Sequence, residues 1–548
     1  MTTITPYRST ARDARDGFGQ LLHAEWTKFR SVRGWVIGMI LAVLVTAGLG
    51  VFLAKASTPS CSSQTSSGQQ GPVQHGAACG GPVYTAGPGG LLVQDEFYFV
   101  RQPLAGNGSI TVRVTSLTGL GREEINGQPT GSLLVPWSKA GIIIKNGTGQ
   151  GSTYAAMMVT GGNGVRMQWN YTGDTPGLPG AVSAGSPRWL RLTRDGDTIT
   201  GYDSADGTHW TRVGTVALAG LPPTVRAGLF VTSPLYTVYS SSLGVGNASS
   251  SATTATGVFD HVSRTGRWPA KGHGKGGMGR RARGGAWTGD EIGAGNLGVV
   301  KVSGYQQVAG RFTVTGSGDI APLIAGPLNH GPNVTIKDFL LGTFAGLIVV
   351  AVVAAMFMTS EYRRGLIRTT LAASPHRGRV LAAKAIVIGS AGFVAGLAAA
   401  AGAVLGGTHI AQSNGAALFP EPWPTELRII AGTAALVAVA AVFTLAIATM
   451  VRRSASAILI VIVAIVIPFV LSAPPGIPAG LSDWLLRITP AAAFAVQQPA
   501  PQYYQVQANY IPSAGYFPLA PWTGFAVLCA WTVIALAAAA YLLRRRDA

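Results

Sequence analysis

Few side chains in this 548-residue sequence are spaced for catalysis. Cleaving a glycosidic bond takes two carboxyl groups flanking it. Asp95, Glu96, Glu123 and Glu124 are present, but Glu123 and Glu124 fall in a Gly-rich stretch and no E-x-D-x-x-E pattern occurs. His209 beside Trp210 reads as a packed hairpin pair rather than a ligand. A loop that cradles phosphate needs closely spaced backbone amides and a lysine. No G-x-x-x-x-G-K-[ST] is found, and the glycines near Lys275 lack a strand–loop–helix setting. A non-catalytic chain with no metal site and no cofactor of its own is therefore expected. The residues that do suggest a task form a polar, mainly basic run: Glu361, Tyr362, Arg363, Arg364, Arg368, Arg377 and Arg379, interleaved with Leu366, Ile367 and Leu371. Thr359-Ser360-Glu361 can cap a helix start and Pro375 can end it. A short amphipathic helix there could offer one face to a partner protein; the plainer alternative is a basic loop that only sets orientation. Leu22, Trp26 and Phe29 follow helical spacing beside Lys28 and Arg30, which suggests an interfacial helix with Trp at headgroup level. Glu25 among these basic residues is unusual for a mere charge flank.

Those segments are positioned by apolar runs. Charged residues make up 11% of the chain, well below the quarter usual for soluble domains, which points to a membrane protein. A span needs roughly 20 mostly apolar residues. Six stretches qualify: 35–53, 339–358, about 382–406, about 427–451, about 455–472 and about 522–543. The net charge of +19 invites a nucleic-acid reading. Its placement argues against one, because Arg and Lys flank the spans. They precede the first, fill the gap between second and third, separate fourth from fifth at Arg452 and Arg453, and follow the sixth at Arg544–Arg546. The positive-inside rule then puts both termini in the cytoplasm of a multi-pass membrane protein. Ala54-Lys55-Ala56 resembles a signal-peptide cleavage site, but the run before it is long for one, so an uncleaved anchor is expected.

The insertion between the first two spans is expected outside the membrane. Residues 54–89 read as a flexible linker, 90–262 as a β-sandwich, 263–295 as a basic Gly-rich linker and 296–337 as a β-rich return segment. Residues 359–381 are then the coupling segment and 382–548 the remaining four-span bundle. Short alternating strands such as SITVRVTSL and KAGIIIKN, with a turn at Asp195-Gly196, support the sandwich. Trp137, Trp169 and Trp210 could stack on sugar rings, although most of these aromatics alternate with polar neighbours as core residues do. Cys61 and Cys79 could form a bridge in this compartment.

Two regions carry resemblances. LLHAEWTKFRSVRGW, TSEYRRGLIRTTLAASPHRGRVLAAK and the closing YLLRRRDA resemble actinobacterial permeases of the ABC-2 exporter type. That resemblance implies a partner ABC ATPase subunit carrying ATP and Mg, a homodimer or a pairing with a related permease, and contact with membrane lipid. It also implies a coupling role for Glu361 to Arg379. DEFYFVRQPLAGNGSITVRV and WLRLTRDGDTITGYDSADGTHWTRVG resemble concanavalin- or laminin-G-like jelly rolls. GRFTVTGSGDIAP resembles an opening strand of such domains yet comes last here, so either the strand order is rearranged or the fragment completes the sandwich from its far end. The rival reading is a polytopic anchor whose sandwich binds glycan or cell-wall polymer.

Overall fold

The computed structural model describes residues 17–56, 60–64, 70–75, 85–121, 124–125, 128–129, 131–242, 245–269, 287–293, 303–323, 334–363, 376–416, 418–472, 479–499, 503–509 and 516–545. The chain forms two compact units: a helical one from residues 1–81, 334–499 and 511–548, and a β-rich one from residues 82–333 and 500–510.

The helical unit contains α1 (Phe18–Ser31), α2 (Arg33–Ala56), α3 (Thr343–Arg363), α4 (Arg377–Ser413), α5 (Trp423–Val451), α6 (Ser454–Ser472), α7 (Ala479–Ile488) and α8 (Pro521–Arg545). Six of them, α2, α3, α4, α5, α6 and α8, are long and apolar enough to cross a membrane. At ~1.5 Å per residue the shortest, α6, is about 28 Å long, close to the hydrocarbon thickness. Small residues let the helices approach closely. A Cβ on Gly346 would fall 2.0 Å from Thr46 Oγ1, and one on Gly396 would fall 3.0 Å from the Ala434 backbone. Large apolar side chains such as Ile37, Val394 and Val533 stay exposed on outward faces, as lipid-facing residues do.

Three helix ends depart from expectation. Thr359, Ser360 and Glu361 do not cap a new helix; α3 carries them and ends at Arg363. The third span also starts earlier and ends later than residues 382–406, because α4 spans 37 residues. At about 55 Å it is longer than a bilayer core, so its charged first turns need not lie in lipid. Pro468 sits inside α6 and does not end it.

In the β unit, the 25-residue strand Phe97–Gly121 is the spine of an antiparallel sandwich. One of its edges pairs with Thr224–Thr232 and then Arg188–Asp195, the other with Thr288–Ile292 and Thr253–Arg267. Lys139–Lys145 is buried at every position, since apolar layers cover both its faces. Asp195 and Thr198 close the expected hairpin, with Gly196 at φ +60°. Arg311–Gly316 pairs with Thr253–Arg267, and Ile320–Pro322 pairs with Leu92–Asp95, so the return segment completes the sandwich. The 263–295 stretch is not linker throughout, for strands occupy it as far as Arg267 and again at Thr288–Ile292. Likewise Ser60–Gln64 and Gln70–His75 pair within the 54–89 stretch.

Candidate functional site

Four charged side chains from three helices meet in the helical unit. Glu25 and Lys28 lie one turn apart on α1, so an inward-facing stripe presents both. Glu361 stands in the last turn of α3, and Lys384 two turns into α4. Lys384 Nζ donates to Glu25 Oε2 at 2.6 Å and to Glu361 Oε1 at 2.7 Å. Lys28 Nζ donates to Glu25 Oε1 at 2.8 Å and to Glu361 Oε1 at 3.2 Å. The side chains of Lys384 and Glu25 are fully buried, Glu361 nearly so, and Lys28 is partly exposed. Two carboxylates against two ammonium groups make the cluster neutral, the condition under which buried charge is tolerated. Burial works to lower the Lys28 pKa, but its bond to Glu25 and the charge on Glu361 outweigh that, so the net shift is upward.

Aromatic rings close the cluster off. The Phe357 ring centroid lies 4.7 Å from Lys384 Nζ, and Phe29 and Trp35 pack edge-on against Phe357 at 5.7 and 5.1 Å. Phe29 is therefore core, and Leu22 is partly buried beside it; Trp26 faces outward. The arrangement is a network of ion pairs. It ties α1 to the end of α3 and the start of α4, the two helices that flank residues 364–375.

The basic residues fall around this tie in different ways. Tyr362 is half-buried beneath the Arg452 guanidinium at 5.2 Å. Arg377 donates to the Leu543 carbonyl near the end of α8 at 2.6 Å, and Arg379 is exposed. Arg363 ends α3; its side chain, with Arg364 and Arg368, lies outside the described residues. Glu361 is buried in these ion pairs rather than lying on an open surface. Lys28 and Lys384 were legible only as flanking charges, and Glu25 as an acid out of place among basic neighbours. An i, i+3 pair of opposite charges on α1 and a lysine two turns inside an apolar helix were the available signals.

In the β unit the tryptophans are engaged. Trp137 is 7% exposed, with Tyr504 edge-on at 5.5 Å and the Arg166 guanidinium at 5.8 Å, so it has no open face for a sugar. Trp169 is half-buried against Gly173. Trp210 carries the Arg191 guanidinium at 3.8 Å and donates to the Gly207 carbonyl. His209 is not packed in the hairpin; its side chain is 92% exposed and its Nδ1 lies 2.7 Å from Asp206 Oδ2. That contact and the backbone amides of His209 and Thr208 hold the Asp206 carboxyl far below the usual range. Cys61 lies in a strand, and Cys79 is outside the described residues. Glu123 is outside them as well. Among the described residues, no group of three His, Cys, Asp or Glu could hold a metal.

The acids of the sandwich are structural in their contacts. Lys139 and Lys145, at opposite ends of one strand, make buried ion pairs with Asp319 at 2.6 Å and with Asp95 at 2.7 Å. Glu96 is half-buried and its pKa is pushed up to about 7, first by burial and then by the charges of Asp319, Asp95 and Glu291. A carboxyl with a raised pKa keeps its proton in the fold at pH values where the unfolded chain has lost it. The sandwich should therefore be most stable below pH 4.5 with respect to this group. It should lose stability as pH rises to about 7, by at most ~1.4 kcal/mol per pH unit. Hydrogen exchange of 140–144 in the full-length protein should show this slope, and Glu96→Gln should flatten it. An identical slope in the variant would assign it to other groups.

A family model described as ABC-2 family transporter protein matches residues 21–548. No curated protein matches the chain. Among solved structures, a functionally unknown protein from Saccharomyces cerevisiae is 14% identical; the match covers 39% of this chain and 98% of that one, with a TM-score of 0.21. Scytalido-glutamic peptidase with a transition state analog inhibitor is 9% identical over 40% and 98% of the two chains, with a TM-score of 0.24. A GH43 protein from Bacillus licheniformis is 16% identical over 23% and 24%, with a TM-score of 0.16. Likenesses this distant carry no functional argument.

Proposed function

The chain belongs to the ABC-2 family of transporter proteins, and from that premise we propose that it is the membrane-spanning permease subunit of an ATP-driven exporter. A separate ATPase subunit binds ATP and Mg and supplies the hydrolysis. Two permease halves, identical or related, enclose the path through the membrane. The termini and residues 364–375 face the cytoplasm, and the β unit lies on the opposite side, as the distribution of Arg and Lys supports.

The observation that carries this reading is the buried Glu25–Lys28–Glu361–Lys384 cluster. An anchor for a surface domain needs one helix and no such device. A permease driven from outside its own chain needs a stiff connection between the surface its motor pushes and the helices that must move. The cluster supplies it: force on the 364–375 segment meets α3 and α4 where they are locked to each other and to α1. Low-dielectric surroundings strengthen these charge-assisted bonds, so the three helices move as one body. Arg377, Arg379 and the basic residues of the segment then offer the ATPase a positively charged face.

Purification of the tagged full-length chain in mild detergent tests the partner. An ATP-binding cassette subunit should co-purify in stoichiometric amount. A well-folded chain that consistently emerges without one would favour a membrane-anchored, glycan-binding surface protein instead.

A further inference from the structure

We propose that one outer face of the sandwich, centred on Arg191, Tyr202 and Arg212, binds an acidic polysaccharide that carries carboxylate groups. The inference concerns the β unit alone and is independent of the permease reading.

Alternation along the strands sets up this face. In Arg188–Asp195, Leu190 and Leu192 enter the apolar core, so Trp189, Arg191 and Thr193 point the other way. Ile199 likewise turns Thr200 and Tyr202 outward in Thr198–Ser204. In the spine strand Ile110, Val112 and Val114 are core, which leaves Ser109, Thr111 and Arg113 on the outer face. Register then aligns these residues across the strands. Arg212, Tyr202, Arg191, Thr111 and Ser263 form one row. Thr215, Thr200, Thr193, Ser109 and Thr265 form the row beside it. At ~4.8 Å between strands, a row of five residues is about 19 Å long.

Charge singles out two of the arginines. Arg113 gives Nε and Nη2 to the two oxygens of Asp260, both at 2.7 Å, so its charge is balanced. Arg191 and Arg212 have no acid within ion-pair distance among the described residues. Arg191 is also fixed in place. Its guanidinium lies 3.8 Å from the Trp210 ring centroid, and its Nε donates to Thr111 Oγ1 at 3.1 Å. Trp210 is in turn tied to the Gly207 carbonyl through Nε1. Both Nη groups of Arg191 remain for a ligand. A planar guanidinium held this way is a preorganised fork for a carboxylate. Arg212 is exposed, two strands away, so the two cations stand about 10 Å apart across the sheet.

The surroundings of the two cations identify the rest of the ligand. Tyr202 stands between them, half-buried, and its hydroxyl has no partner among the described residues. Every member of the second row carries a hydroxyl. Thr200 and Thr215 meet at 3.2 Å, and Ser109 and Thr265 at 2.7 Å. Hydroxyls both donate and accept, as sugar hydroxyls require of their partners, and a tyrosine offers a ring edged by a polar group. Neither row has an exposed large apolar side chain to insert into a lipid surface. A bare polyphosphate would match the arginines but leave the ring and the hydroxyl row unused.

The test measures binding of polygalacturonate to the full-length protein in detergent. It should bind at least tenfold more tightly than dextran, a neutral polymer, and the affinity should fall as salt rises. Arg191→Ala/Arg212→Ala should weaken binding at least tenfold, and Tyr202→Ala at least threefold. Absence of binding, equal binding of dextran or full affinity in the double variant overturns the proposal. Equal or tighter binding of polyphosphate overturns it too, since the face would then be a general anion surface. Should Arg191→Ala speed hydrogen exchange in strands 188–195, Arg212→Ala alone decides, because that side chain is exposed and outside the Trp210 stack. It should weaken binding severalfold, and an unchanged affinity again overturns the proposal.

Discussion

Lys384→Met is expected to free α1 from the α3–α4 corner and to abolish productive contact with the ATPase. The ammonium group is the hub of the cluster, donating to both Glu25 and Glu361 at 2.6 and 2.7 Å. Without it, two buried carboxylates share only Lys28, which is half in solvent. Removing one partner of a buried ion pair costs about 3–5 kcal/mol, because the remaining charge has lost its compensation. Some of that cost can be avoided by moving Glu25 into water, and doing so requires α1 to lift. Hydrogen exchange across 18–31 should accelerate by a hundredfold or more, and stimulation of ATP hydrolysis should disappear while membrane insertion is retained. Glu25→Gln/Lys384→Met should recover part of the stability, with a coupling of roughly 1–3 kcal/mol between the two sites. Protected α1 amides in Lys384→Met would remove the cluster from the account.

The second large effect is expected in the β unit. Lys145 is fully buried and holds Asp95 at 2.7 Å, the Ser152 carbonyl at 3.0 Å and the Tyr171 hydroxyl at 3.1 Å. Burial lowers its pKa, and Asp95 only partly opposes that shift. Lys145→Met would leave the Asp95 carboxylate in an apolar interior without its counter-charge, still accepting from the Gly151 amide. The loss should again be about 3–5 kcal/mol, read as faster global exchange of strands 140–144 and 227–231. Lys145→Met/Asp95→Asn should regain most of it, since an amide needs no counter-charge. Equal instability in single and double variants would mean that packing around the lysine stem matters more than its charge.

The membrane helices were legible because twenty apolar residues in a row have few other uses. Their ends were less so. Glu361 looks like a loop residue in a hydropathy profile, yet it completes α3 because its charge is satisfied by Lys384 and Lys28 rather than by water. Lys384 and Glu25 are 359 residues apart, and no local pattern distinguishes a lysine that snorkels to the interface from one buried in an ion pair. The N-terminal helix was readable from Leu22, Trp26 and Phe29, but the same three residues could not tell which faces the core. In the insertion, individual strands showed through their alternation. That Phe97–Gly121 would serve two edges at once did not, because pairing is decided by partners distant in sequence. Trp137 illustrates the limit best: its type suits a sugar platform, and a tyrosine from the α7–α8 connection covers it.

The proposed orientation puts the basic segment on the motor's side of the membrane and the sandwich on the other. In a background with Cys61, Cys79 and Cys529 replaced by serine, Arg379→Cys and Ala205→Cys place single thiols at exposed positions of the two units. A membrane-impermeant thiol reagent applied to intact cells should label Ala205→Cys fully and leave Arg379→Cys unlabelled until the membrane is opened. Labelling of both from outside would place the two units on the same side and overturn this orientation.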